Sequence, residues 1–225
     1  MVKANRAVVA IVVGWIAAGA ALLTGAQAQD DPVAAVAPTT ETATTFVDAL
    51  VVDLSAAAND ESLEEEDRKY ALRTILRDEL AVEPIGKFLF AGAPAELATD
   101  DQRAAYDELF PNYIAASFAE EIGELAEREI RVKGAILRGE DEAIVQSELF
   151  DSEGAKRAQI DWRLRWIDGE PRLLDVLVER VSPLVTKRQE FSAIAERDGV
   201  DALLLHMEDV VGDMEEQPEA TSAAE

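Results

Sequence analysis

Between residues 130 and 182 the apolar side chains recur at about every second position, and this spacing constrains the fold more than any other feature of the chain. The alternation divides into four segments, at residues 130–137, 143–150, 156–167 and 171–182. Glycine-containing turn sequences at residues 151–154 and 168–169 separate the last three segments. We therefore predict a four-stranded antiparallel sheet in which successive strands are neighbours.

The third segment separates an apolar face from a polar face most clearly. Its two faces are Ile160, Trp162, Leu164 and Trp166 on one side, and Asp161, Arg163 and Arg165 on the other. Because side chains alternate across a strand, the sheet should have one dry face and one wet face.

Helical spacing precedes and follows the sheet. We predict helices over residues 42–58, 65–81, 85–90 and 99–125 before it, and over residues 183–199 and 200–211 after it. Thr99 and Gln102 have the spacing of a capping box at the start of the longest helix. Pro111 inside that helix predicts a kink or a break near residues 107–110. The order of elements indicates an α+β domain with segregated helices and strands.

The two ends of the chain differ in composition from the middle. Residues 1–28 have the basic start, apolar centre and Ala26-Gln27-Ala28 ending of a cleavable secretory signal peptide, with a retained membrane anchor as the alternative. Residues 29–41 are predicted to be a flexible lead-in, and residues 212–225 a disordered acidic tail. The folded domain should span residues 42–211, the size of one ordinary domain.

Charge excludes some classes of partner. The formal net charge is −25, and removing Lys3 and Arg6 with the signal makes it two units more negative. Nucleic acids and anionic membrane surfaces attract basic proteins, so neither is an expected partner. There is no cysteine and a single histidine, so we expect no disulfide and no transition-metal site.

Several short pieces of sequence together resemble one known family. They are residues 160–165 (IDWRLR), Asp168-Gly169, Leu174-Asp175-Val176, residues 179–182 (ERVS), Arg188, Phe191, and Gly199-Val200-Asp201 with Leu204. In order and spacing these pieces are similar to the MlaC/toluene-tolerance family of periplasmic phospholipid-binding transport proteins. The resemblance covers roughly residues 42–211. One departure is Arg180, which stands where the family commonly has glycine before the Val-Ser pair.

The resemblance implies a fold and a function. Family members have a sheet wrapped by helices around an apolar cavity, similar to the NTF2-like fold, with acyl chains inside. This chain would then be a periplasmic shuttle without a cofactor or catalytic residues, carrying phospholipid and maintaining the lipid asymmetry of the outer membrane. Its implied partners are an inner-membrane ABC transporter complex with an MCE-domain protein, and an outer-membrane lipoprotein-porin complex. Periodicity alone favours a solid core over a cavity; the resemblance reverses this and favours the cavity.

The candidate lipid-binding residues combine the apolar faces with this resemblance. They are Phe88, Phe110, Tyr113, Phe118, Ile122, Val145, Ile160, Trp162, Leu164, Val176, Val178, Val181 and Phe191. By the same resemblance, Arg188 should hold the start of a C-terminal helix in place or meet a polar headgroup.

Two alternatives remain. A hopanoid or other polycyclic lipid could stack on aromatic residues, namely Phe88, Phe90, Phe110, Tyr113 and Trp162. An NTF2-like enzyme acting on an apolar small molecule would rely on His206, or on a carboxylate pair formed by Asp161 and Asp175. We interpret His206 as structural or exposed, and expect Arg163 and Arg165 to make ordinary cross-strand ion pairs with carboxylates.

Overall fold

A computed structural model describes residues 38–126 and 128–212. The helices before the sheet are α1 (Thr40–Ala58), α2 (Glu65–Glu79), α3 (Val82–Phe90), α4 (Ala93–Leu97) and α5 (Asp100–Ala126). The strands are β1 (Glu129–Arg138), β2 (Glu142–Phe150), β3 (Lys156–Ile167) and β4 (Glu170–Val178), followed by α6 (Pro183–Asp198) and α7 (Val200–Gly212). The predicted α+β class is confirmed. The predicted signal peptide, and the tail beyond Gly212, lie outside the described residues.

The first helix starts two residues earlier than the sequence pattern predicted. The Thr39 hydroxyl accepts a hydrogen bond from the Thr42 backbone N–H at 3.0 Å, and the Thr39 N–H donates to the Thr42 hydroxyl at 3.2 Å. This reciprocal cap satisfies two backbone donors and sets the helix start at Thr40. The last two residues of the predicted lead-in therefore belong to α1.

The second helix ends two residues earlier than predicted, because its continuation joins the sheet. The Ala81 N–H donates to the Leu173 carbonyl at 2.8 Å, and Leu80 forms a parallel bridge with Leu173. Residues 80 and 81 thus protect part of the free edge of β4. At the other end of α2, Glu65, Glu66 and Asp67 occupy its first turn, where negative charge is favourable.

The longest helix, α5, begins at the predicted capping box. The Thr99 N–H donates to the Gln102 side chain at 2.9 Å, and the Gln102 N–H donates to the Thr99 hydroxyl at 3.2 Å. Pro111 lies inside the helix without breaking it, so the predicted break is wrong. Phe110 and Tyr113, close to Pro111 in sequence, are both buried. A kink at this point stays a prediction.

The sheet is antiparallel, with the strand order β1-β2-β3-β4. One row across its inner face is formed by Ala135, Val145, Trp162 and Val176. The register of β1 shifts between Val132 and Gly134, which leaves the residue between them as a bulge. Arg163 and Arg165 lie on the opposite face, where both pair with Glu142. The predicted dry and wet faces are confirmed.

The fourth strand ends at Val178, four residues before the predicted end. Glu179 and Arg180 adopt left-handed backbone conformations with φ of 50° and 67°, which reverse the chain. Val181 then bridges back to Val178. Arg180 therefore occupies a conformation that glycine adopts more easily.

Candidate functional site

The inner face of the sheet is a continuous apolar surface. Five of the predicted site residues on it are between 0 and 3 % exposed: Val145, Ile160, Trp162, Leu164 and Val176. A polar contact lies in their midst, because the Trp162 indole N–H donates to the Ser147 hydroxyl at 2.9 Å. Ser147 in turn donates to the Ile160 carbonyl at 3.2 Å. Sequence reasoning missed Ser147, although its place among the inward positions of β2 was readable from the alternation.

The helices place a second apolar surface opposite this face. The helix that packs most extensively on the sheet is α1. Predicted residues of α5 and α6 are buried within the helical layer, each at most 3 % exposed: Phe110, Tyr113, Phe118, Ile122 and Phe191. Exposures this low leave almost no water-sized space beside these side chains. The region between helices and sheet is therefore apolar and occupied by packed side chains.

Aromatic rings form a connected series through the helical layer. Successive centroids are 4.2 Å apart for Phe90 and Tyr106, 5.1 Å for Tyr106 and Phe110, and 5.4 Å for Tyr113 and Phe191. These distances are typical of stabilising ring contacts. The rings of this series thus pack against one another.

Polar groups at the rim of this layer are paired. Burial lowers the pKa of the Lys187 ammonium, but the surrounding groups, Tyr113, Glu121 and Glu190, outweigh that effect, so the pKa is raised overall. Its Nζ lies 3.1 Å from Glu121 Oε1. Burial raises the pKa of the Tyr113 hydroxyl. Lys187 therefore stays charged and engaged beside the interior.

An open groove of about 600 Å³ lies between α3 and α6. It is lined by Phe88, Val185, Arg188, Gln189, Ser192, Ala193 and Glu196. The Arg188 guanidinium carbon lies 4.8 Å from the centroid of the Phe88 ring, which is within the range of a cation–π contact. Phe88 is half-buried and also packs against the core. This ring therefore stands between the groove and the apolar interior.

The family model described as MlaC protein matches residues 44–209. The chain belongs to the MlaC family. A solved structure with the same fold is that of a phospholipid-binding protein from Ralstonia solanacearum in complex with a phospholipid. That protein is 15 % identical in sequence, with a TM-score of 0.60, and the match covers 78 % of this chain and 99 % of that one. No curated protein matches the sequence significantly.

The MlaC fold places most of the predicted site residues inside, with three differences. Phe88 is half-buried beside the open groove. Val178, near the end of β4, is only half-buried. Val181 is 64 % exposed, because the left-handed turn at residues 179–180 carries it past the end of the strand. Val181 therefore lies outside the buried interior.

The residues considered for an enzyme, His206, Asp161 and Asp175, are not paired with one another in the described structure. His206 is partly exposed, with its Nε2 3.5 Å from Glu190 Oε1. In the strand register Asp161 is opposite Leu177 and Asp175 is opposite Arg163, so the carboxylates are not paired with each other. Arg163 and Arg165 do form ion pairs, as predicted, but with carboxylates of the β1–β2 turn and β2.

Asp175 is the buried carboxyl group of the sheet. It is 1 % exposed, and it accepts hydrogen bonds from the Ser182 hydroxyl at 2.6 Å and from the Val176 N–H at 3.0 Å. Burial raises its pKa, although these bonds and the nearby Arg163 act in the opposite direction. Ser182 also caps α6, so Asp175 fixes the start of that helix.

Two further features concern the described residues as a whole. Within residues 38–126 and 128–212, no group of three or more histidine, aspartate or glutamate side chains could hold a metal ion. None of the helices in this part of the chain is both long enough and apolar enough to cross a membrane.

Proposed function

We propose that this MlaC-family protein is a periplasmic phospholipid carrier, which takes lipid from one membrane complex to another without chemical change. The observation that carries the proposal is the family match over residues 44–209. It is supported by the shared fold with a protein that binds a phospholipid. The signal-like sequence of residues 1–28 supports export to the periplasm.

The energetics explain why a carrier is needed. Each methylene removed from water contributes about 0.8 kcal/mol, so two chains of about 15 methylenes contribute on the order of 24 kcal/mol. Free phospholipid would therefore leave a membrane for water extremely rarely. A protein interior as apolar as the one between the helices and the sheet makes transfer nearly balanced.

The acyl chains would lie between the helices and the inner face of the sheet. The wall we propose consists of Phe88, Phe110, Tyr113, Phe118, Ile122, Val145, Ile160, Trp162, Leu164, Val176, Val178 and Phe191. Since side chains fill this region, the acyl chains must push the helical layer away from the sheet or displace side chains as they enter. The protein side chains that separate in this way then pack against the lipid instead of against one another.

The proposed partners are protein complexes at both membranes. They are an inner-membrane ABC transporter complex with an MCE-domain protein, and an outer-membrane lipoprotein-porin complex, which together would maintain the lipid asymmetry of the outer membrane. The net charge of −25 supports docking to proteins over adsorption to anionic lipid surfaces. Such a carrier needs no cofactor and no catalytic group.

Native mass spectrometry of the exported protein, purified without detergent and followed by lipid extraction, tests the proposal. A stoichiometric adduct with the mass of a phospholipid is expected. A polycyclic lipid adduct would instead support a hopanoid carrier. A protein that remains without any lipid after incubation with phospholipid vesicles would contradict carriage altogether.

A further inference from the structure

A two-residue turn after β4 holds a strained arginine. Glu179 and Arg180 both have left-handed backbone conformations, with φ of 50° and 67°. Turns with two such residues usually contain glycine, asparagine or aspartate, because a larger side chain raises the energy of the left-handed conformation. Val178 and Val181 close the turn with two backbone hydrogen bonds of 3.2 and 2.9 Å. The surrounding structure therefore imposes this conformation on Arg180.

The side chain of Arg180 makes no contribution to the described fold that would offset this strain. The described residues other than glycine with left-handed backbone are Asp168, Glu179 and Arg180. Aspartate tolerates this conformation, and the Glu179 carboxylate accepts a hydrogen bond from the Gln159 N–H at 2.6 Å. Arg180 is exposed and makes no ion pair or side-chain hydrogen bond within residues 38–126 and 128–212. A strained, exposed and unengaged cation points to a role outside the folded chain.

Two exposed valines lie beside this arginine. Val181 follows it directly and is 64 % exposed, and Val185 is 48 % exposed. The Ser182 hydroxyl accepts a hydrogen bond from the Val185 N–H at 3.2 Å, so both valines flank the same helix cap. Asp175 binds that hydroxyl and thereby fixes the cap relative to the sheet. Arg180, Val181 and Val185 together are called the turn patch below.

The turn patch continues into the open groove between α3 and α6. Val185 is one of the residues that line this groove of about 600 Å³. No acidic residue lies in the first turn of α6. Glu196, the acidic residue of the groove lining, is eleven residues beyond Val185, which corresponds to about 16 Å along the helix axis. The patch is therefore an apolar surface with a cation at its edge, in a chain with 46 acidic and 21 basic residues.

We infer that the turn patch is the surface through which this protein docks to a partner protein, which presents carboxylates around an apolar side chain. The inference rests on the proposed function, and it gives the partner complexes a place to bind. At a net charge of −25, most of the surface repels an acidic partner, so Arg180 favours one orientation of approach. The apolar side chain of the partner packs against Val181 and Val185. Docking here brings the partner to the opening between α3 and α6.

Binding of the lipid-loaded mature protein to each proposed membrane complex tests this assignment. The probes are the purified MCE-domain transporter complex and the purified lipoprotein-porin complex, each in phosphatidylcholine nanodiscs. Arg180→Gly should raise the Kd for at least one complex about tenfold and weaken its dependence on salt, because a charged contact is lost. Its Tm should be no lower than that of the wild type, since glycine adopts the left-handed conformation without strain. A purely structural role for Arg180 would not give weaker docking with an equally stable fold.

Two exposed valines separate the turn patch from the rest of the surface. Val181→Asp should weaken docking at least as much as Arg180→Gly, because it places a carboxylate against those of the partner. Val52→Asp is the matched control, since Val52 is 65 % exposed on α1 and lies outside the patch. Its Kd should equal that of the wild type. Wild-type docking by both patch variants, or an equal loss in Val52→Asp, would overturn the assignment.

The remaining outcomes distinguish this inference from the proposed function. Native mass spectrometry of the same preparations should show wild-type lipid occupancy in every variant; a wild type without lipid would contradict carriage, whereas the Kd values still decide the docking surface. A wild type that carries lipid but binds neither complex would contradict the proposed partners and this inference with them. Phosphatidylglycerol vesicles should not bind the wild type. Vesicle binding that Arg180→Gly abolishes would show a membrane-binding patch and would also overturn the assignment.

Discussion

Ser147 and Trp162 form a buried hydrogen bond. The effect of its loss on stability should depend on which of the two side chains is changed. Ser147→Ala leaves the Trp162 indole N–H, which is fully buried, without its acceptor. An unsatisfied buried donor costs about 1–3 kcal/mol. Trp162→Phe removes that donor, while the Ser147 hydroxyl keeps its bond to the Ile160 carbonyl.

Ser147→Ala should lower the free energy of unfolding by different amounts in the presence and absence of the Trp162 indole. In the wild-type background, Ser147→Ala should lower the free energy of unfolding by about 2 kcal/mol. For a domain of this size that corresponds to a decrease in Tm of roughly 4–8 °C. In the Trp162→Phe background the same change should cost under about 1 kcal/mol, because no buried donor is left unpaired. The coupling energy should therefore be at least about 1 kcal/mol.

Urea unfolding of the wild type, the two single variants and the double variant measures this coupling. All four proteins must carry the same amount of lipid, since a bound ligand adds to the apparent stability. Equal effects of Ser147→Ala in the two backgrounds would refute the reasoning. They would mean that the indole N–H finds another acceptor, or that the inner face of the sheet is more hydrated than the structure shows.

Other substitutions test the placement of individual residues. Val176→Asp should abolish lipid binding and lower Tm, because it buries a charge, whereas Val181→Asp on the exposed turn should change neither. Gly86→Ala should destabilise the protein by about 1 kcal/mol in thermal unfolding, since the added carbon would lie 3.1 Å from a buried aromatic ring. Gly123→Ala meets only an ordinary contact and should stabilise by up to about 1 kcal/mol. Asp175→Asn should increase stability at pH 7 relative to the wild type, with the gain disappearing as the pH falls to about 4.

The raised pKa of Asp175 determines how the stability of the protein changes with pH. Burial makes the folded protein hold this proton more tightly than the unfolded chain does, so wild-type stability decreases as the pH rises above the unfolded value of 3.8. Urea titrations at several pH values would measure the difference. A gain that is the same at every pH would contradict the role of charge burial.

The two valine substitutions, Val176→Asp and Val181→Asp, have their own contradicting outcome. Loss of lipid in a folded Val181→Asp protein would show that the turn contributes to binding.

Alternation in the sequence predicted the sheet well, because one face of each strand packs on the core and the other faces water. The third strand has the predicted ends, Lys156 and Ile167, and its alternating residues lie on the predicted faces. The fourth strand was predicted too long, since the chain reversal uses Glu179 and Arg180, which carry no turn signal. That reversal also explains why Val181 was assigned to the interior.

Contacts between distant segments could not be predicted from sequence patterns. The stacking of Arg188 on Phe88 depends on how α3 and α6 pack, although these residues are 100 positions apart. The arrangement of Ser147 beneath Trp162 required the strand register as well as the alternation. A local rule was insufficient at Pro111, because the predicted break is absent and the helix continues through the proline.

The bulge in β1 has a consequence for how this protein meets copies of itself. β1 is one of the two outer strands of the sheet, and a regular outer strand can pair with the same strand of another molecule. The register shift between Val132 and Gly134 interrupts the row of backbone groups available for such pairing, and the charged Lys133 occupies the irregular position. An added strand could follow only half of β1 at a time. The bulge therefore disfavours extension of the described sheet by strand pairing along β1.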